Sequence, residues 1–75
     1  MADQTYRIGI IGCGGMGRSH SRSWTRHPRA EVVAAMDIYE DAAKKVADEY
    51  DIPAIYTDVE AMLKKEDLDI VSITT

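Results

Sequence analysis

The chain has 75 residues, one cysteine, and 13 acidic against 9 basic side chains, for a formal charge of −4. That excludes an internal disulfide, allows one domain at most, and argues against nucleic acid, which needs clustered Lys and Arg to neutralise phosphates. No apolar run approaches the roughly 20 residues of a membrane span, and the N-terminus lacks the blocks of a signal peptide. No membrane partner is expected, and the cytoplasm is the expected location.

In chain order, Tyr6 to Ile11 is apolar and β-branched and runs into a glycine cluster, which reads as a short buried strand. A helix is predicted from Gly15 to Arg26, stopped by Pro28. Glu31 to Met36 is a second apolar strand, closed by Asp37. Glu40 to Tyr50 places Ala42, Ala43, Val46, Ala47 and Tyr50 on one helical face. Ala54 to Tyr56 is a short third strand. Thr57 and Glu60 match a capping box, and the helix behind them is expected to bury Val59, Met62 and Leu63 before ending on Lys64 and Lys65. Leu68 to Thr75 is the fourth strand.

Apolar strands alternating with amphipathic helices imply an α/β fold with a parallel sheet covered on both faces. Right-handed crossovers favour a Rossmann-type half domain of four strands in the order 3-2-1-4. The last strand then has a free edge, through which two copies could associate. The chain reads as the N-terminal part of something longer.

Gly12-Cys13-Gly14-Gly15-Met16-Gly17 is G-x-G-x-x-G between a predicted strand and a predicted helix, the context that gives this pattern meaning. Gly12 allows the turn off the strand, Gly14 lets a pyrophosphate approach the backbone, and Gly17 lets helix and sheet pack closely. Free N–H groups at the helix start favour phosphates. Ser21 is small, as close packing there requires. A plain glycine turn is the alternative. Asp37, twenty residues after Gly17, can accept hydrogen bonds from adenosine ribose hydroxyls and would repel a 2′-phosphate. A turn or cap role is its alternative. NAD is therefore expected as cofactor, in preference to NADP.

Other residues carry weaker signals. Cys13 could be a reactive thiol or an ordinary small loop residue. His20 could face the loop or make a structural hydrogen bond. Trp24 and Met16 are expected to pack, and Arg18 could approach a phosphate or stay in solvent. Arg18, Arg22, Arg26 and Arg29 form a solvated basic face or, less simply, a polyanion site. No metal site is expected, since His20 and His27 have no thiol partners at zinc spacing.

The run from Arg7 to His20 resembles the Gfo/Idh/MocA family of sugar and inositol dehydrogenases, and the likeness extends over nearly the whole chain. Glu31 to Asp37 looks like the family's second strand with its terminal acid. Tyr50 to Pro53 looks like the exit from the next helix, and Asp69 to Thr75 like its fourth strand. The resemblance implies that Gly12, Gly14, Gly15, Met16 and Gly17 carry the pyrophosphate and Asp37 the ribose. It also implies Ile38 near the adenine, and Thr74 and Thr75 near the nicotinamide end. The family's Glu-Lys-Pro segment, catalytic lysine, downstream histidine and substrate domain have no counterpart in these residues. Lys44, Lys45, Lys64 and Lys65 are expected on helices away from the loop, so no catalytic residue is assigned. A sugar-like substrate is implied for a full-length parent only. A stand-alone dinucleotide-binding or sensing module is the alternative. A methyltransferase is disfavoured, because Ile10 and Ile11 stand where that class usually has an acid.

Overall fold

The computed structural model describes residues 5–74, with Met16 described by its backbone alone. The elements alternate: β1 (Tyr6–Ile11), α1 (Gly15–Thr25), β2 (Ala30–Met36), α2 (Glu40–Tyr50), β3 (Ala54–Tyr56), α3 (Val59–Lys65) and β4 (Ile70–Ile73). The strands form one parallel sheet in the order β3-β2-β1-β4. The predicted topology is therefore the observed one. Its fourth strand is shorter than expected: Leu68 and Asp69 approach β1 without joining the strand, although the Asp69 N–H still donates to the Arg7 carbonyl at 2.8 Å.

Side chains divide between the two faces of the sheet. On one face Ile8 and Ile10 of β1 pack with Ala43, Val46 and Ala47 of α2, and Trp24 of α1 closes over them. This is the stripe that the spacing of α2 predicts, with Ala42 and Tyr50 packed at its margin. On the other face Met62 of α3 packs with Val33, Ala34 and Met36 of β2. An irregularity in the β1–β2 register between Ile8 and Gly9 lets Val33 and Ala34 both serve that second cluster.

Two expectations for α3 need correction. Its N-cap is Asp58, not Thr57; the Asp58 carboxylate accepts from the Ala61 N–H at 2.9 Å. A carboxylate both caps and complements the helix dipole there, which shifts the start by one residue. Leu63 is 50% exposed rather than buried. Met62 takes the centre of the buried stripe, and Leu63 lies a further 100° or so around the helix.

The helix ends position the site. α2 stops at Asp51, whose φ of 56° is left-handed, so the chain turns sharply into β3. At the far side Arg7 ties β1 to the entry of β4, its backbone N–H donating to the Asp69 carboxylate and its guanidinium pairing with Glu66 at 3.3 Å. These ties leave the carboxyl ends of β1, β2 and β4 together at one rim.

Candidate dinucleotide site

At that rim Gly12 leaves β1 with φ of 91°, a conformation open to glycine and strained for other residues. The turn brings the chain back so that α1 starts at Gly15, capped by Gly14 with no side-chain hydrogen bond. Gly17 sits against the turn. A Cβ at Gly17 would overlap the carbonyl oxygen of Gly12 and meet Thr74 Oγ1 at 3.4 Å. Only hydrogen fits there. A Cβ at Gly14 or Gly15 would meet nothing within 4 Å. Glycine is thus demanded at Gly17 by the fold, while Gly14 and Gly15 leave open space before the first N–H groups of α1.

The turn is held from two directions. The Asp37 carboxylate accepts from the Cys13 N–H at 2.8 Å and from the Tyr39 N–H at 2.9 Å. Asp37 therefore fixes the loop and its own turn, and it is not the cap of α2, a position occupied by Tyr39. Each carboxylate oxygen retains a lone pair, so the group can still accept from ribose hydroxyls. From just beyond β4, the Thr74 hydroxyl reaches the Gly12 carbonyl at 2.6 Å and the Ile11 carbonyl at 3.1 Å. One hydroxyl proton is shared between them, and the shorter bond goes to the loop.

Two hollows flank this turn. One of about 130 Å³ is lined by Ile11, Gly12, Met36, Asp37 and Ile38. Ile38 and Tyr39 stand out beside it, 71% and 72% exposed. The other, of about 340 Å³, lies between α1 and α2 and is lined by Cys13, Gly14, Gly15, Arg18, Asp41 and Lys45, among others. Lys45 is thus brought beside the loop, against expectation: α2 packs alongside α1, and its second turn reaches the glycines. Arg18 points the same way but makes a two-pronged pair with Glu49, at 3.1 and 3.2 Å. That hydrogen bond holds the Glu49 carboxyl below the usual carboxylate range and pushes the Arg18 guanidinium up.

The remaining candidates resolve as supports. Cys13 is 3% exposed, and its thiol donates to the Met36 carbonyl at 3.3 Å. Burial, with the Asp37 charge adding to it, pushes the thiol up to about 11, so it is no nucleophile near neutral pH. His20 turns from the loop and shares a hydrogen bond with Ser72 of β4 at 2.9 Å. Ser21 is fully buried, donating to the Gly17 carbonyl at 2.8 Å. Arg22 and Arg26 are exposed, and Arg29 stacks over the Tyr6 ring at 5.5 Å. Thr75 and the Met16 side chain lie outside the described residues. Among the described residues no three His, Cys, Asp or Glu side chains converge to hold a metal, and no helix is long and apolar enough to cross a membrane.

Residues 6–75 match the family model described as the oxidoreductase family with an NAD-binding Rossmann fold, GFO_IDH_MocA. The chain belongs to that family. Inositol 2-dehydrogenase of Burkholderia ambifaria is 37% identical over 73 residues, 95% of this chain and 22% of the relative. D-apiose dehydrogenase of Paraburkholderia graminis is 34% identical over 70 residues, 93% of this chain and 19% of the relative. Among solved structures, the myo-inositol dehydrogenase of Lactobacillus casei in complex with NAD(H) and myo-inositol superposes with a TM-score of 0.86. It is 33% identical over 96% of this chain and 22% of that one. The chain thus spans about a fifth of the length of these relatives. Within the GFO_IDH_MocA family it corresponds to the NAD-binding part, and its glycine turn and Asp37 fit such a cofactor: the space is open at Gly14 and Gly15, and acceptor capacity remains at Asp37.

Proposed function

We propose that these 75 residues are the N-terminal part of the dinucleotide-binding domain of a cytoplasmic NAD-dependent dehydrogenase acting on a sugar-like or cyclitol alcohol. The observation that carries this reading is the open space over Gly14 and Gly15, at a helix start and next to a carboxylate. Gly12, Gly14, Gly15, Met16 and Gly17 would hold the pyrophosphate, Asp37 the adenosine ribose and Ile38 the adenine. Thr74 and Thr75 would lie toward the nicotinamide, with Thr74 also fixing the turn through Gly12. Bound NAD would supply the hydride acceptor. This chain's residues bind and orient it, and the acid/base group and substrate domain would come from a longer parent.

NAD is favoured over NADP because a 2′-phosphate would stand against the Asp37 carboxylate. At an effective dielectric near 20, unit charges about 4 Å apart interact by roughly 4 kcal/mol, and solvent and salt leave about 1–3 kcal/mol of that, or roughly 5- to 150-fold in affinity. Competition between NADH and NADPH on one sample measures the ratio. Asp37→Asn should narrow it; equal affinities in the wild type would refute the assignment. Gly14→Val should abolish NADH binding in a calorimetric titration while circular dichroism stays native, because the added side chain fills the pyrophosphate's space. Equal affinities would remove the turn from the argument.

The purified chain should bind without turnover. Steady NADH formation from any polyol would overturn the division of labour between this part and a parent. The free edge of β4, with Ile73 67% exposed beside it, is the surface through which two copies would pair. A sedimentation coefficient that rises with concentration, and falls back on Ile73→Lys, checks that pairing.

A further inference from the structure

The hollow between α1 and α2 has a charge arrangement that binding of NAD leaves unexplained. Arg18 and Lys45 line it, and so does Asp41, while Glu49 grips Arg18 from outside. The four formal charges sum to zero. The hollow's floor is Cys13, Gly14 and Gly15, and Cys13 is the residue whose N–H is bonded to Asp37. Asp37 itself lines the neighbouring hollow, so a ribose held by Asp37 would lie at the Cys13 border between the two.

We propose that this hollow is a latent subsite for a ribose 2′-phosphate, kept ineffective by Glu49, which neutralises and holds Arg18; Glu49 is thereby a specificity-determining residue for the dinucleotide. The inference rests on the dinucleotide reading above. A phosphate entering the hollow meets the Gly14 and Gly15 backbone, the Lys45 ammonium, and an Arg18 guanidinium with two of its donors already spent on Glu49. The carboxylate of Asp41 in the lining, with that of Asp37 in the neighbouring hollow, then decides against it. The grip itself is weak, since both partners are about half exposed and exposed ion pairs give little net stabilisation. Freeing Arg18 would place a planar, five-donor cation beside a dianion, the pairing guanidinium geometry suits best. It would also leave the hollow with a net charge of +1.

The test compares 5′-AMP with adenosine 2′,5′-bisphosphate, which differ only by the 2′-phosphate. Each is titrated against the wild-type chain, Glu49→Gln, and Glu49→Gln combined with Arg18→Gln. Glu49→Gln should raise affinity for the bisphosphate about tenfold and leave AMP within about twofold, and the double variant should return to the wild-type ratio. An unchanged ratio in Glu49→Gln with AMP still bound overturns the subsite and leaves the dinucleotide reading standing. A gain that persists in the double variant also overturns it, because Arg18 would then have no part in it. If neither nucleotide binds the wild type or either variant, the dinucleotide reading fails and the subsite with it. Circular dichroism of all three chains guards against loss of fold.

Discussion

The two faces of the sheet are built from similar apolar residues and end up differently. Under α1 and α2, Ile8, Ile10, Ala43 and Val46 reach zero exposure. On the α3 face only Ala34 and Met62 of the described hydrophobic residues do so, while Val71, Ile73 and Leu63 stay 36%, 67% and 50% exposed. One short helix of seven residues covers β2 and β3 there and leaves β4 bare. Burial is set by what lies opposite a residue, not by its own hydrophobicity. The glycine turn leads from β1 into α1 on the well-covered side, held by the Asp37 and Thr74 hydrogen bonds.

The sharpest way to break this contrast is to push the covered face apart. Gly17→Ala places a methyl group onto the Gly12 carbonyl, and we expect a loss of about 4 kcal/mol or more. For a chain of this size, whose whole margin is about 4–11 kcal/mol, that is a third of the margin or more, and the urea midpoint of the variant should fall far below that of the wild type. Native-like stability would mean that α1 can stand further from the sheet than its contacts indicate.

Removing bulk should separate the faces less violently. Ile10→Ala leaves a cavity under α1 and α2 and should cost about 2–5 kcal/mol, whereas Leu63→Ala should stay within about 0.5 kcal/mol. Comparable midpoints for the two variants in one denaturant series would erase the distinction.

The smallest effect is a chemical readout of the covered face. The Cys13 thiol, raised by burial to about 11, should resist iodoacetamide at pH 8 in the folded chain and react at once in urea. The sign of its linkage follows. A neutral thiol held to a higher pH than in the unfolded chain contributes stability fully below about pH 8.5. That contribution disappears as pH rises through about 11. Rapid alkylation of the native chain would show the thiol to be less sealed than its 3% exposure indicates.

Much of this architecture was legible in the residues. Alternating strands and helices predict the sheet order, and the α2 stripe of Ala43, Val46 and Ala47 has the right period. The glycine turn is recognisable from its flanks. Most of what is not legible there depends on partners distant in sequence. Leu63 has the same local pattern whether or not a neighbour covers it. Lys45 reaches the turn because two helices pack side by side, which spacing within one helix does not encode. Thr57 and Asp58 are both good caps, and only the backbone entering α3 chooses between them. The charge and spacing of Asp37 mark it in the sequence, yet its bonds to Cys13 and Tyr39 also make it part of the turn's frame. No local signal announces Thr74 as the residue that bonds the Gly12 carbonyl.

That last bond joins residues 62 apart in the chain. Extending loop closure from the β1–β2 scale to this one costs less than about 1 kcal/mol of chain entropy, so the arrangement is cheap. Its effect is to make the shape of the turn conditional on the final strand being in place. By mass action, whatever binds only the finished turn draws the population toward chains with β4 docked. A dinucleotide held at Gly14 would thereby slow hydrogen exchange along Ile70 to Ile73, protecting a strand whose backbone it never contacts.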